Sequence, residues 1–305
     1  MHYFLQQLLN GLHSGALYAL LAFGYVLTNG MLRRTNLAHG PVFAFAGQVL
    51  IVFAVFGWQV LWLTLPATIG LGMVAAFAYA ALAATVLTRG ILLPLSERSP
   101  DAIVVATLGV SLVLMELGRM ASGTRDLWLP PMLADAVTFA ASSAGFQVTL
   151  TVIQIADCAV AAIILGLGSL ALSRSSFGRH WRAVGDDRLA AALCGVDVRG
   201  TFYGAVLCGA LLAALAGVMA AFYYGNISFD TGLVFGLKVL FVTAVGGYRE
   251  PKRAAAGALC FGLAESLWSG YFPTEWRDAW MFALLAAMLV LRQGGPERDH
   301  RLKNA

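Results

Sequence analysis

The chain has 305 residues, of which 59% are hydrophobic and only 12% are charged. Soluble domains carry roughly 25% charged residues, so this composition excludes an ordinary soluble fold. The formal net charge is +4. The basic residues are spread over five loops and form no patch interleaved with aromatic residues, which argues against nucleic-acid binding.

Long apolar runs separated by short polar breaks predict membrane-spanning helices. No Asp, Glu, Lys or Arg lies between Arg34 and Arg89. Because one span needs only about 20 apolar residues, two spans lie there and turn near residues 57–66. The same pattern predicts an all-α polytopic membrane protein with nine segments, some of them short or broken, at residues 5–31, 37–57, 61–88, 102–121, 148–172, 201–224, 233–247, 254–271 and 278–292.

Basic residues orient these segments, because Lys and Arg concentrate in cytoplasmic loops. With nine crossings, 16 of the 20 basic residues fall on one side: Arg33 and Arg34, Arg89 and Arg98, the five arginines within 174–199, Arg249, Lys252 and Arg253, and the four within 292–303. Six of the seven tryptophans fall at the opposite ends, as an interfacial belt would. We therefore predict an outer amino terminus and a cytoplasmic carboxy terminus. Arg119 and Lys238 lie near segment ends and are expected to extend outward to the membrane surface.

Two irregular segments indicate the internal organisation. Segment 37–57 begins with the sequence N-L-A-H-G-P, and segment 233–247 spans only about 22 Å, short of the roughly 30 Å hydrocarbon core. If segments one to five and six to nine are related halves, the two halves are inverted and these irregular segments are equivalent. Paired interruptions of this kind point to a pathway near the membrane midplane. The predicted single transmembrane domain comprises a first half (1–172), a cytoplasmic loop (173–200), a second half (201–292) and a cytoplasmic tail (293–305).

The loop at residues 173–200 is a charged island between two apolar runs. A helix is expected to begin near Arg179 and to stop at Gly195, with an apolar face formed by Leu189, Ala192, Leu193 and Val196. Such a helix either lies on lipid headgroups or binds a protein partner. Two neighbouring acidic residues, Asp186 and Asp187, favour the protein partner, because an anionic membrane surface repels them.

Ionisable residues within lipid cost roughly 2.5–3.5 kcal/mol each and are therefore candidate functional residues. Glu116 and Arg119 are three residues apart on one helix face, which favours a structural ion pair. His39 precedes Gly40 and Pro41, and we interpret it mainly as a donor to freed backbone carbonyls. Glu265 either faces a cavity or bonds a partner helix. The spacings Gly11 to Gly15 and Gly232 to Gly236 predict close helix packing.

Several function classes lack their sequence signatures. None of the three lysines completes a G-x-x-x-x-G-K-[ST] phosphate loop, so an ATP-driven machine containing this chain must obtain its ATPase from another subunit. No H-E-x-x-H or G-x-S-x-G motif is present, and we assign no catalytic residue. The four cysteines show no CxxC spacing, and neither a metal nor another cofactor is expected.

Five motifs occur in a fixed order along nearly the whole chain. They read N-L-A-H-G at 36–40, A-T-L-G-V-S-L at 106–112, G-R-H-W-R-A-V-G-D-D-R-L-A-A-A-L-C-G-V at 178–196, A-V-G-G at 244–247, and G-L-A-E-S-L with T-E-W-R-D-A within 262–279. In these motifs the chain resembles the permease subunits of branched-chain amino acid ABC importers. It departs from the family pattern at Asp186, where Glu is usual, at residues 248–253, and in the tail.

The resemblance implies roles for individual residues. The island is similar to the segment by which importer permeases contact their ATPases, and the matching positions are Gly178, Arg182, Ala183, Asp186, Asp187, Ala191 and Gly195. The candidate pathway residues are Asn36, His39, Gly40, Glu116, Gly246, Gly247 and Glu265.

The function expected from the resemblance is a non-enzymatic permease subunit in a bacterial inner membrane, carrying a branched-chain amino acid or a related amide by alternating access. Its expected partners are ABC ATPase subunits, an outer solute-binding protein, a second permease subunit (a related chain or a second copy) and the lipid bilayer. A sugar-type ABC permease and a proton-coupled secondary transporter remain alternatives. An intramembrane enzyme is a weaker one.

Overall fold

The computed structural model describes residues 2–32, 34–98, 101–123, 125, 127–141, 146–247 and 250–293. Their helices are α1 (His2–Leu32), α2 (His39–Gln59), α3 (Leu65–Leu87), α4 (Leu93–Arg98), α5 (Ala102–Ala121), α6 (Val152–Arg174), α7 (Ser176–Asp186), α8 (Arg188–Leu193), α9 (Val198–Tyr224), α10 (Thr231–Gly246), α11 (Pro251–Tyr271) and α12 (Arg277–Gln293). A π-helical turn (Thr88–Leu92) joins α3 to α4, and a 3-10 turn (Thr274–Trp276) precedes α12.

A helix lies within each of the nine predicted segments. Six helical spans in the described residues are long and apolar enough to cross a membrane, and α10 is a shorter apolar helix. The protein is therefore a multi-pass membrane protein. The predicted tail lies almost entirely outside the described residues, as do Arg33, Tyr248 and Arg249.

Helix α1 occupies the centre of the bundle. It is mostly apolar, and nearly every residue from Gly11 to Leu32 is buried against α9, α11, α6 and α10. In contrast, α3, α5 and α6 bury one stripe each and expose large apolar side chains, among them Val74, Val105 and Ile163. Such continuous apolar exposure is stable only against lipid, so these helices form the lipid-facing side.

Glycines allow the central helices to approach at backbone distance, as the two G-x-x-x-G spacings predicted. A Cβ atom added to Gly262 of α11 would overlap the backbone of Gly15 in α1. A Cβ on Gly24 would lie 2.8 Å from the carbonyl oxygen of Gly209 in α9, and a Cβ on Gly209 would lie 2.6 Å from that of Gly24. The amino-terminal turns of α2 and α10 meet in the same way, at Gly40 and the Gly232–Gly236 pair.

Segment 37–57 is not broken internally, because α2 runs continuously from His39 to Gln59, and the irregular backbone lies before it at residues 34–38. The chain leaves α1 at Leu32 and re-enters the bundle, where the Nε2 atom of His39 lies 3.1 Å from the carbonyl oxygen of Leu21. Leu21 is about 17 Å from the end of α1 at helical rise, so α2 begins deep inside the bundle. The Oδ1 atom of Asn36 accepts a hydrogen bond from the backbone of Ala38 at 3.1 Å and stabilises this re-entrant turn.

The prediction that the fold is entirely α-helical is wrong in one place. Strands β1 (Ala136–Ala141) and β2 (Gln147–Thr151) form an antiparallel hairpin, so residues 148–151 belong to a strand rather than to the predicted fifth segment. The side chain of Gln6 bonds both backbone groups of Thr149, at 2.8 and 2.9 Å, and satisfies part of the strand edge. A capping box between Thr151 and Gln154 starts α6, a sequence signal that marks this boundary.

Substitution of Gly262 by alanine is expected to lower the free energy of unfolding by about 1–3 kcal/mol, because the added methyl group overlaps α1. Gly166 in α6 has no atom within 4 Å of the position that a Cβ atom would take, and Gly166→Ala should be neutral or stabilising by up to about 1 kcal/mol. Thermal unfolding of the purified variants measures both effects. Equal melting temperatures for the two variants would contradict the close crossing of α1 and α11.

Candidate functional site

A cavity of about 610 Å³ lies between α1, α9, α10 and α11. Its walls combine polar, charged and aromatic side chains, namely Gln7, Asn10, Ser14, Tyr18, Phe43, Trp128, Tyr223, Tyr224, Asn226, Ser228, Thr231, Phe235, Lys238, Glu265, Ser266, Ser269 and Arg277, with apolar contacts from Ala220 and Ile227. A concave site of this size with a few convergent polar groups is typical of small-molecule binding.

An ion cluster forms one wall of this cavity. The Nζ atom of Lys238 in α10 lies 2.6 Å from Oε1 of Glu265 in α11 and 2.9 Å from Oδ1 of Asp278 in α12. The Nε atom of Arg277 lies 3.5 Å from Oε1 of Glu265 and 3.4 Å from Oδ1 of Asp278. The cluster therefore ties three helices together with two cations and two anions.

The expectation that Lys238 extends outward to the membrane surface is wrong. Its side chain is 2% exposed and that of Glu265 is 9% exposed, whereas Arg277 and Asp278 are 37% and 46% exposed. A buried ammonium group is stable only when it is paired, and the two carboxylates supply that pairing within the bundle. The charges therefore hold Lys238 inside instead of letting its stem reach the surface.

An aromatic wall lies next to the ion cluster. The rings of Phe43 and Phe235 stack with centroids 5.1 Å apart, and the ring of Tyr18 lies 5.2 Å from Phe235. Lys238 Nζ is 5.8 Å from the centroid of Phe235, so the charged and aromatic parts of the cavity are contiguous. The hydroxyl group of Tyr18 interacts with Glu265. The cavity can therefore accommodate a molecule with a charged end and an apolar end.

The island at residues 173–200 contacts the far end of α1. The indole nitrogen of Trp181 in α7 donates a hydrogen bond of 2.9 Å to the carbonyl oxygen of Leu27. The Nη2 atom of Arg188 in α8 donates one of 2.8 Å to Met31, in the last turn of α1. A cation at this position also interacts favourably with the negative end of the helix dipole. Both short helices are thus attached to α1.

The island forms two helices rather than the single predicted one. Asp187 adopts an extended conformation and its side chain accepts hydrogen bonds from Leu189 and Ala190, which ends α7 and starts α8. Trp181, Val184 and Ala191 are buried. The predicted apolar face is largely exposed, since Leu189 is 72% and Leu193 81% accessible.

The seven predicted ATPase-contact residues lie along this island in distinct environments. Gly178 packs so closely on the carbonyl group of Leu172 that a Cβ would overlap it, and Arg182 donates to the same oxygen at 2.7 Å. Ala191 is buried and Ala183 is half-buried. Asp186, Asp187 and Gly195 are exposed, and Gly195 ends α8 with a φ of 81°.

Of the predicted pathway residues, the cavity is lined by Glu265 alone. Asn36, His39 and Gly40 lie together at the re-entrant turn before α2, where His39 bonds a backbone carbonyl as expected. Gly246 and Gly247 form the turn between α10 and α11. Glu116 lies on the exposed side of α5, where its carboxylate pairs with Arg119 at 2.7 Å, and this confirms the predicted ion pair.

Several residues were missed by the sequence interpretation. The strongest available signal was Lys238, a lone cation inside a short apolar segment, which should have been assigned a partner. In the sequence, Arg277 and Asp278 are indistinguishable from ordinary loop charges. In the structure they begin α12, where Asp278 contacts Lys238 and Arg277 contacts Asp278. A buried pair between His13 and Asp157, 2.9 Å apart, joins α1 to α6 and had no spacing signal.

Metal binding has no geometric support in the part of the chain that the structure describes. No group of three or more His, Cys, Asp or Glu side chains converges there.

Replacement of Lys238 by methionine should destabilise the protein by about 3–5 kcal/mol, because two carboxylates lose their buried cation. The double replacement Lys238→Met with Glu265→Met should be less damaging than Lys238→Met alone, since a buried charge is removed together with its partner. Denaturant titration in micelles gives the free energies. Additive losses in the double variant would contradict the pairing, and Lys252→Met, at an exposed position, serves as the near-neutral control.

Replacement of Trp181 by phenylalanine keeps an aromatic ring but removes the hydrogen bond to Leu27. We expect normal membrane insertion and a loss of about 1 kcal/mol in the attachment of α7 to α1, because one buried carbonyl contact disappears. Faster proteolysis within residues 175–195 measures this loosening. Trp62→Phe, at an 86% exposed position far from the island in sequence, should leave the cleavage rate unchanged, and an unchanged rate in Trp181→Phe would contradict the anchoring role.

Comparisons with known proteins agree with this architecture. The family model described as branched-chain amino acid transport system / permease component matches residues 7–289. The high-affinity branched-chain amino acid transport system permease protein LivH of Escherichia coli strain K12 is 31% identical over 301 residues, covering 96% of this chain and 95% of the relative. The corresponding protein BraD of Pseudomonas aeruginosa is 28% identical over 304 residues, covering 97% and 96%.

A solved structure shows the same overall fold at low sequence identity. PsaBC from Streptococcus pneumoniae in complex with Fab aligns with a TM-score of 0.50 and 16% identity, covering 99% of this chain and 95% of that chain. The full-length family match and the LivH identity are decisive for the assignment. The chain therefore belongs to the branched-chain amino acid transport permease family, and it is a transport subunit of the ABC type rather than an enzyme.

Proposed function

We propose that this chain forms part of the pore of a bacterial inner-membrane ABC importer for branched-chain amino acids. An outer solute-binding protein delivers the solute to the cavity, and separate ATPase subunits supply the energy through α7 and α8. The names of the LivH and BraD relatives support the solute class. The absence of a phosphate loop from the sequence supports the separate ATPase.

The observation that carries this proposal is the position of α1. Its first half lines the cavity through Gln7, Asn10, Ser14 and Tyr18. Its last turns receive the hydrogen bonds of Trp181 and Arg188 from the island. A single rigid helix thus connects a solute-sized cavity at one end with two short surface helices at the other. Movement of α7 and α8 by an ATPase would displace the cavity wall directly.

The exposed side of α7 and α8 is suited to a protein partner. Leu189 and Leu193 present apolar surface, while the neighbouring Asp186, Asp187 and Arg188 line a polar cleft of about 450 Å³ beside the end of α1. Apolar residues rimmed by charges are typical of protein interfaces. The acidic residues disfavour contact with an anionic lipid surface, so we assign this face to the ATPase.

The helix contacts also support two inverted halves. If α1, α2, α3 and α5 of the first half correspond to α9, α10, α11 and α12 of the second, the contacts of the two halves match. The pair α1–α11 corresponds to α9–α3, the pair α2–α3 to α10–α11, and the pair α2–α5 to α10–α12. The re-entrant α2 and the short α10 then become equivalent members that meet at Gly40 and Gly236. Inverted halves of this kind favour alternating access around their shared interface.

The basic residues support a cytoplasmic island and an outer amino terminus. With that orientation the cavity, which the first half of α1 lines, would lie toward the binding protein. A second permease subunit, either a related chain or another copy, would complete the pore. A secondary transporter would not require α7 and α8 to present an exposed apolar face.

Replacement of Leu189 and Leu193 by aspartate should abolish co-purification with the ATPase subunits, because two charges would enter an apolar contact. Membrane insertion and thermal stability should be unchanged, since both side chains are exposed. Leu133→Asp, at a 54% exposed position outside the island, is the matched control. Retention of the ATPases by the double variant at wild-type yield would contradict this docking surface.

Reconstitution tests the proposed function as a whole. Proteoliposomes with the complete complex and the binding protein should accumulate labelled leucine only when ATP is present on the ATPase side. Arg182→Glu and Asp186→Lys should stop accumulation without loss of the protein from the membrane. ATP-independent accumulation by this chain alone would contradict the importer assignment.

A further inference from the structure

We infer that the ion cluster and the aromatic wall together form a binding site for an amino acid zwitterion with an aliphatic side chain. Arg277 binds the α-carboxylate, Glu265 binds the α-ammonium group, and the aromatic wall contacts the side chain. This inference rests on the proposed function, because it assigns the contacts of the solute within the same cavity.

Arg277 has the chemistry and the exposure required for the carboxylate. Its Nε atom faces Glu265 and Asp278, and within the described residues its two terminal amino groups donate no hydrogen bond. The side chain is 37% exposed and lines the cavity. The planar guanidinium group matches a carboxylate through paired hydrogen bonds, which an ammonium group cannot reproduce.

Glu265 supplies the complementary acceptor. Lys238 and Arg277 both reach its Oε1 atom, at 2.6 and 3.5 Å. A carboxylate offers about four acceptor sites on its two oxygens, so Glu265 can accept a further hydrogen bond from an incoming ammonium group. Tyr18, which interacts with the same carboxylate, lies beside it. Since Arg277 and Glu265 are adjacent, the two charged groups of one amino acid, which share a carbon atom, can reach both residues at once.

The charge balance of the cluster favours a zwitterion over a singly charged solute. Lys238 and Arg277 are balanced by Glu265 and Asp278, so the wall is neutral overall. A zwitterion brings one charge of each sign and leaves that balance intact. A carboxylic acid or an amine alone would bring a single charge and pair with only one of Arg277 and Glu265. The uncompensated charge in a partly desolvated site disfavours binding of such a solute.

The aromatic wall determines where the side chain lies. Tyr18 and Phe43 both pack on Phe235, and the ring centroid of Phe235 is 5.8 Å from Lys238 Nζ. An aliphatic side chain attached to the same α-carbon would therefore reach apolar surface directly beside the ion cluster. Burial of that side chain adds hydrophobic stabilisation that a polar side chain would not obtain.

Protection of a cavity cysteine tests the site in the full-length chain. The four native cysteines are replaced by alanine, Ser228→Cys is introduced at the cavity, and its alkylation by a maleimide is followed in membranes without ATP. L-leucine should slow alkylation. Isocaproate, which lacks the ammonium group, and isoamylamine, which lacks the carboxylate, should require about tenfold higher concentrations or more. A cysteine at Thr138, on strand β1 outside the cavity, should show no protection.

Two arginine variants assign the effect to Arg277. Arg277→Gln should abolish protection by leucine while the alkylation rate without leucine stays normal. Arg119→Gln, in the exposed pair with Glu116, should retain protection. If Arg277→Gln does not fold, Arg277→Lys decides, because it keeps the charge but loses the planar fork and should weaken protection. Equal protection by all three compounds, no protection by leucine, or full protection in either Arg277 variant would overturn the site.

The outcome is separable from that of the proposed function. A wild-type complex that imports leucine although leucine does not protect Ser228→Cys would overturn this binding site alone. Protection without ATP-driven import would contradict the importer assignment and leave the binding site standing.

Discussion

The fold depends on the backbone-level packing of α1 within the bundle. Gly15 meets Gly262 of α11, and Gly24 meets Gly209 of α9, at separations that exclude any side chain. Lipid offers apolar helices no hydrophobic reason to associate, so such close packing and buried polar contacts must hold the bundle together. Because α1 is held in this way along its length, displacement of one end is transmitted to the other.

The buried charges lie at one wall of the cavity. Lys238, Glu265, Arg277 and Asp278 connect α10, α11 and α12 there, in addition to the glycine contacts that α10 makes with α2 and α11 makes with α1. Replacement of a buried ion pair by apolar residues is often neutral or stabilising, so a retained pair calls for another explanation. Recognition of a charged solute supplies one, and it also accounts for the incomplete hydrogen bonding of the Arg277 guanidinium group.

Hydropathy was sufficient to predict where the membrane helices lie, but not to predict the strands and helix breaks between them. Each predicted segment contains a helix because a span must satisfy its backbone internally, and length and composition reflect that requirement. The β-hairpin was missed because residues 136–151 have weak patterns, and the island was misread because the side-chain cap of Asp187 divides it. The partners of Lys238 come from segments distant in sequence, and only tertiary packing brings Glu265 and Asp278 to it.

The central claim is that α1 and the two short helices move as one body between the ATPase and the cavity. Pulsed electron paramagnetic resonance between spin labels at Leu5, near the start of α1, and Leu189, on α8, tests it in the complete complex. Both positions are exposed, at 39% and 72%. We predict that the distance between the two labels is the same in the nucleotide-free and the vanadate-trapped complex. A change of about 5.4 Å or more, one helical turn, would show that α8 moves independently of α1 and would contradict the account.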